Sequence, residues 1–431
     1  MKFRAFVIFF LLLGLLPDVY LWTVLLRDAP LVWKICVCLP TLGALVSLPL
    51  IALGIRYTDA VNIFSYLTFI FEGPKFFGCL FTAVCLHLIG LGATVSAIVG
   101  LAVFLALAAT FCTLIFYTSK HLQVNRLELS FPSLPESFDG LRICQLTDLH
   151  LGSLGRARNY VRRVIDTAMS LSPDLILFTG DLVSFESKEA DAYLHDLARL
   201  SAPMGIIAIR GNHDYLMHGP HDEEGRRKDM QRLLGIETGL GWKLLLNGNV
   251  LLHRGTGSIA IAGVENISAN PYFTQTGGDL GKALEGIPEG TFTILMSHDP
   301  THWRAEVLPA SGVNLTLSGH THGLPYKTAG LHFSSWRLRE SRGVYTEGAR
   351  NRQGKGLMMF RRGVANLAAR SGAQIIPVYN ALWNFPHRYR YAMGEPFHID
   401  PVPPEGITQD WLSDQASQVR DKVAALEDLV Y

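Results

Sequence analysis

The stretch LRICQLTDLH (141–150), followed by NYVRRVIDTAMSL (159–171) and DLILFTGD (174–181), decides the fold of this chain. RICQL and LILF are short aliphatic runs, and the segment between them has helical character, so the three read as a β-α-β unit. Asp148 and Asp181 then stand at the ends of its two strands. Three further clusters repeat that placement: RGNHD (210–214) after GIIAI, SHDP (297–300) after TFTILM, and SGHTHG (318–323) after VNLTL. Open α/β sheets bind ligands at the exit edge of their strands. Oxygen and imidazole donors gathered there, without paired thiolates, suit two hard or borderline divalent cations.

Taken in this order, the five clusters resemble the calcineurin-like metallophosphoesterase superfamily over residues 123–347. NRLELSFPSLPESFDGLRICQLTDLHLGS (125–153) is similar to the opening of its membrane-attached bacterial branch, and GSIAIAGVENI (257–267) to its mid-domain strand. The resemblance implies a two-sheet α/β sandwich. It also implies that Asp148, His150, Asp181 and His322 hold one metal ion, and that Asp181, Asn212, His298 and His320 hold a second. Asp181 is then the bridge, since each oxygen of a carboxylate can face a different cation. The chemistry implied is hydrolysis of a phosphodiester, phosphomonoester or pyrophosphate by a metal-activated water, with His213 stabilising the transition state or protonating the leaving oxygen. Family members often carry an acidic residue three positions after the bridging Asp, where this chain has Ser184. If that carboxylate orients the histidine, Asp214 or another group replaces it here. Manganese is the first metal expected from the resemblance, with iron, zinc or nickel compatible with mixed imidazole and carboxylate donors. His195 and His253 read as ordinary histidines, and Asp174 and Asp299 as turn residues.

Ahead of this region the composition changes. Residues 5–118 are overwhelmingly apolar, and five of the six cysteines (Cys36, Cys38, Cys79, Cys85 and Cys112) lie among them, without disulfide or zinc-knuckle spacing. A membrane span needs about 20 apolar residues. Phe6–Leu26 and Leu31–Ile55 each meet that length, and residues 76–118 carry no Asp, Glu, Lys or Arg, which predicts a hairpin of two spans turning near Gly90 to Ser96. Four spans are expected, with three as the alternative, and Arg56–Lys75 at the interface. A cleavable signal peptide fits poorly, because the apolar run is too long and no A-x-A-like site follows it. Lys2, Arg4, Arg56, Lys75, Lys120 and Arg126 then fall on one side, against Arg27 and Lys34 on the other. Basic residues favour the cytoplasmic side, so four spans predict a bacterial inner-membrane protein with its soluble domain in the cytoplasm, whereas with three spans the assignment fails.

The domain division expected is therefore 1–122 for the membrane region, 123–347 for the phosphoesterase-like domain and 348–431 for a C-terminal α/β extension. EGARNRQGKGLMMFRRGVANLAARSGAQIIPVYNAL (347–382) resembles the second half of glycerophosphate-type acyltransferases. There an E-G-x-R element contacts lipid phosphate, which maps onto Glu347, Gly348 and Arg350; Arg352, Arg361 and Arg362 could add bidentate contacts, and a solvated basic face is the plainer alternative. That family's H-x-x-x-x-D pair is missing, since no histidine here is followed by Asp five residues later. Acyl transfer thus lacks its general base. With 38 basic and 37 acidic residues there is no charge excess to gather a nucleic acid. The partners expected are the bilayer and a phosphorylated small molecule or lipid. Two rivals remain open, an acyltransferase and a metal-binding scaffold without turnover.

Overall fold

The computed structural model describes residues 12–117, 122, 124–154, 158–268, 277–308, 312–321, 378–382, 389–393, 400–404 and 407–424. Its first part is helical: α1 (Leu12–Leu25), α2 (Leu31–Ala52), α3 (Tyr57–Leu88) and α4 (Ala93–Phe116). Among the described residues, α2, α3 and α4 are long and apolar enough to cross a membrane, and α1 is a shorter apolar helix. The turn expected near Gly90 to Ser96 falls between Leu88 and Ala93, beginning at Gly90 with its positive φ of 80°.

Arg56–Lys75, the stretch expected at the interface, is helical, and all but Arg56 belongs to α3. Two local features allow this. A wider π turn at Thr68–Glu72 precedes Gly73-Pro74, so the chain passes the proline without the break its missing N–H would otherwise cause. Glu72 and Lys75 are also paired inside the bundle, whereas Arg56 and Asp59 pair with each other at the exposed start of the stretch. Lys75 Nζ lies 2.7 Å from Asp18 Oδ1 of α1, 2.9 Å from Glu72 Oε2 and 2.7 Å from Thr41 Oγ1 of α2, so all three of its N–H groups meet oxygens. Lys75 is therefore buried among carboxylates and carries no information about orientation.

The soluble domain follows as two four-stranded sheets. The first contains β1 (Ile143–Leu146), β2 (Leu175–Phe178), β3 (Ile206–Ala208) and β4 (Lys243–Leu244), all parallel and in that order. The second contains β5 (Gly248–Arg254), β6 (Gly257–Gly263), β7 (Phe292–Met296) and β8 (Leu315–Leu317), in which β5–β6 is the antiparallel hairpin and β7 and β8 run parallel to β6. A strand covered on both faces needs apolar residues at every position, which is why LILF and FTILM lack the polar alternation of a surface strand. Alternate side chains of β2 divide accordingly. Leu175 and Leu177 join Ile207 and Ile209 against Ile259, Ile261, Ile294 and Met296 of the second sheet. Ile176 and Phe178 face Val161, Val164 and Ile165 of helix α5 (Arg158–Ser170). A second outer layer, Leu280, Ala283 and Val307, covers Ala262 and Leu295 on the far side. This is the α/β sandwich expected from the sequence. Beyond it are a two-stranded antiparallel pair, β9 (Val378–Leu382) with β10 (Tyr389–Met393), and a terminal helix, Gln409–Ala424.

Candidate metal centre

The loops leaving β1, β2, β3, β7 and β8 meet at one edge of the sandwich. Asp148, His150, Asp181 and His320 all adopt positive φ, at 53°, 41°, 59° and 70°. L residues rarely occupy that region, and its cost is accepted where the surroundings over-determine the conformation. Here it turns each side chain off its strand end toward a shared centre. The motif glycines permit the loops to close. Gly180, at φ 98°, lies so near Gly211 that an added Cβ would strike the Gly211 backbone nitrogen. A Cβ on Gly211 would collide with Asp181 Oδ1, and one on Gly319 with Asp148 Oδ2.

Asp181 is the centre of this arrangement. Its Oδ2 is 3.4 Å from His150 Nε2 and 3.1 Å from His298 Nε2, while its Oδ1 accepts the His213 backbone N–H at 2.9 Å. Ligand atoms of His150, Asp181 and His213 lie within 4.8 Å of one another, as do those of Asp181, His298 and His320, so Asp181 is common to both groups. Asp148 Oδ1 is 3.8 Å from His150 Nε2, and the Asp148 carboxylate accepts the His320 N–H at 3.0 Å and the Thr147 hydroxyl at 2.6 Å. The six described candidates Asp148, His150, Asp181, Asn212, His298 and His320 thus converge on one edge, with His213 beside them. His322, Arg350 and Arg361 lie outside the described residues.

Three buried atoms here have no hydrogen-bond partner: Asp181 Oδ2, Asn212 Oδ1 and His298 Nε2. Two of them approach to 3.1 Å without the alignment of a hydrogen bond. A buried polar atom left unpaired costs about 1–3 kcal/mol, so a carboxylate oxygen, an amide oxygen and an imidazole nitrogen left open side by side fit a cation. The tautomer agrees, because His298 Nδ1 donates to the Thr179 carbonyl at 2.7 Å, which reserves Nε2 for a ligand. Electrostatics point the same way. Burial alone would raise the Asp181 carboxyl, but His298, His150 and His213 around it hold it well below the usual carboxylate range. Burial alone would depress His298, yet Asp181 pushes it up to about 9. In His320, burial and the neighbouring His298 lower the pKa, which favours the neutral ring a metal needs.

Two supporting acids do work the sequence did not reveal. Asp214 does not orient His213. It is buried beneath the loops, where Oδ2 accepts N–H bonds from Asp181 (2.7 Å) and Gly211 (3.0 Å), and Oδ1 from Leu182 (2.8 Å) and Val183 (3.2 Å). The group that holds His213 is the backbone carbonyl of Ser184, which accepts from Nδ1 at 2.8 Å. Ser184 therefore supplies with its main chain the acceptor that its side chain lacks. Glu189 in turn fixes that loop, accepting N–H bonds from Gly152 (2.9 Å), Ser184 (2.6 Å) and Phe185 (3.0 Å). Gly152 leaves room for it, since a Cβ there would overlap the Glu189 carboxylate. The glycine after DLHL was the available sequence signal. Asp299 is the turn former expected, its Oδ1 accepting Thr301 N–H at 2.8 Å, and its Oδ2 also stands 3.6 Å from His320 Nε2.

These loops belong to a recognisable class. Residues 141–324 match the profile of the Calcineurin-like phosphoesterase family, and this part of the chain is a domain of that family. Over 208 residues the chain is 32% identical to "Transmembrane protein with metallophosphoesterase domain" from Bos taurus, covering 46% of this chain and 44% of that protein. It is 33% identical over 198 residues to "Uncharacterized metallophosphoesterase YkuE" of Bacillus subtilis, covering 44% and 61%. It is also 39% identical over 106 residues to "UDP-2,3-diacylglucosamine pyrophosphatase LpxG" of Chlamydia trachomatis, covering 24% and 32%. The chain spans less than two thirds of the length of each of these relatives.

Proposed function

We propose that this protein is a membrane-anchored, dinuclear metal-dependent phosphohydrolase acting on an ester or anhydride bond of a phosphorylated or nucleotide-linked lipid. The observation that carries the reading is the set of unpartnered buried donors, Asp181 Oδ2, Asn212 Oδ1 and His298 Nε2, gathered at one sheet edge. Asp148, His150 and Asp181, with His322, would hold one cation; Asp181, Asn212, His298 and His320 would hold the other. Such a pair, manganese being the first choice, supplies charge neutralisation at the phosphoryl oxygens and an activated water. His213 keeps its Nδ1 proton on the Ser184 carbonyl, so a second proton carried on Nε2 would be the one given to the leaving oxygen.

Two observations support a lipid substrate. The first turn of α3 lies against the loops that carry the site, with Tyr57 Oη donating to the His218 carbonyl at 2.7 Å. The Chlamydia trachomatis relative is also described as acting on a diacylated sugar nucleotide. We place the domain on the cytoplasmic side. This counts α1 as a fourth span; Lys2, Arg4, Arg56, Lys120 and Arg126 then share one side and outnumber Arg27 and Lys34 on the other. The test compares Asp181→Ala with His213→Ala in detergent-purified protein loaded with Mn²⁺. The first should lose both bound metal and turnover, whereas the second should keep metal and lose turnover. Equal, undetectable turnover in wild type and both variants would leave a metal-binding scaffold instead. Hydrolysis of an aqueous diester with none of phospholipids in mixed micelles would end the lipid assignment.

A further inference from the structure

Helix α3 meets the soluble domain through its first two turns, and each contact falls on a loop of the candidate centre. Asn62 Nδ2 donates to the Gly152 carbonyl at 2.7 Å, in the loop after β1 that begins with Asp148 and His150. Thr58 Oγ1 stands 3.0 Å from Glu189 Oε1 and 3.1 Å from Glu186 Oε1, behind the loop after β2 that contains Asp181 and Ser184. Tyr57 reaches the loop after β3, where its hydroxyl meets the His218 carbonyl, and its ring packs edge-on against Phe185 with centroids 5.7 Å apart. Thr58 and Asn62 are four residues apart and so share one helix face.

These contacts form a continuous chain of hydrogen bonds to His213. The Thr58 hydroxyl holds Glu189, Glu189 holds the Ser184 N–H, and the carbonyl of that same residue holds His213 Nδ1. The His213 ring also faces the His218 ring, at 5.4 Å between centroids, and the carbonyl of His218 is the one that Tyr57 grips. We infer that Thr58, together with Tyr57, acts as a positioning residue for His213, so that the membrane helix α3 completes the working geometry of the site rather than serving only as an anchor. This inference rests on the hydrolase reading for its kinetic consequence, but the geometric relay exists independently of it.

The experiment uses the full chain in lipid nanodiscs with Mn²⁺, assayed on bis-para-nitrophenyl phosphate, and compares wild type with Thr58→Val and Thr58→Ser. Val keeps the shape of Thr and removes the hydroxyl. Thr58→Val should bind the same amount of metal, keep KM and lose about tenfold in kcat, a change within the reach of one charge-assisted hydrogen bond. Thr58→Ser should recover kcat to within about twofold, because it restores the donor. The second readout needs no turnover: in metal-free, ¹⁵N-histidine-labelled protein, the hydrogen-bonded imidazole N–H resonance that disappears in His213→Ala should move in Thr58→Val. An unchanged kcat together with an unmoved resonance overturns the inference, as does a loss of rate that merely follows a loss of metal. A moved resonance in a protein whose wild type hydrolyses no phosphoester would keep the relay and remove the hydrolase reading.

Discussion

Asp214→Asn is the substitution that separates a load on the fold from a load on the chemistry. The Asp214 carboxylate receives four backbone N–H groups, two at each oxygen, and no group that accepts a proton stands among these partners. An amide keeps one oxygen and its two bonds. It converts the other into an NH₂ group facing two buried N–H donors, so two bonds are lost and two donors are stranded. At about 1–3 kcal/mol for each stranded donor, the cost is about 2–6 kcal/mol. Domains have only about 5–15 kcal/mol in total. For a domain of this size that corresponds to a fall of roughly 5–20 °C in the unfolding midpoint. The loops joined by Asp214 are those of Asp181 and Asn212, so metal retention should weaken in parallel. Thermal unfolding of the metal-free protein and elemental analysis of the loaded protein measure both effects. A midpoint and metal content equal to wild type, with turnover alone reduced, would refute this account and return Asp214 to the role of a partner for His213.

Two further outcomes follow from the same geometry. With Asp181 holding His298 up to about 9, the metal-free ring is protonated at neutral pH, and a cation must displace that proton. Metal affinity should therefore rise by about tenfold per pH unit below 9, and the heat of binding should depend on the ionisation enthalpy of the buffer; calorimetry in two buffers with identical heats would refute it. In the helical region, Lys75→Met leaves Asp18 and Glu72 buried without their cation, a change that typically costs about 3–5 kcal/mol. The yield of monodisperse protein in detergent should fall, and it should recover when Asp18→Asn and Glu72→Gln are added; no recovery would mean that Lys75 does something other than neutralise them.

The sequence disclosed those features that depend on local pattern. LILF and FTILM announce strands covered on both faces, and each is followed at once by a polar cluster, so both the sandwich and the edge on which Asp148, Asp181, Asn212 and His298 meet could be read before any coordinates. It was silent where a role depends on what folds underneath. Asp214 sits one residue from His213 and so invites a catalytic role, yet it faces the opposite way, into the loops. Glu189 lies in SKEADAY, a stretch with the composition of an ordinary exposed turn, and only the empty space at Gly152 shows where its carboxylate goes. Asp59, Glu72 and the Gly73-Pro74 breaker argued for an interfacial segment, and Lys75 entered the count of basic residues, because a sequence displays charges singly. Asp18 is 57 residues from Lys75, and only the folded bundle shows that the two cancel.

The coupling between the two halves of the molecule has the same origin. Thr58 is separated from Glu189 by 131 residues, and neither belongs to a motif. What joins them is the hairpin of α3 and α4, which returns the chain to the end of the helical region where α3 begins. The soluble domain therefore begins its first sheet beside the turn of helix that braces its site loops. A phosphoesterase domain released from its helices would lose the hydrogen bonds that Tyr57, Thr58 and Asn62 make to those loops. Strained positions such as Asp148, His150 and Asp181 persist only while neighbouring contacts over-determine them. The helical region thus belongs to the set of contacts that keeps the centre assembled, and this is a physical reason for one chain to carry both.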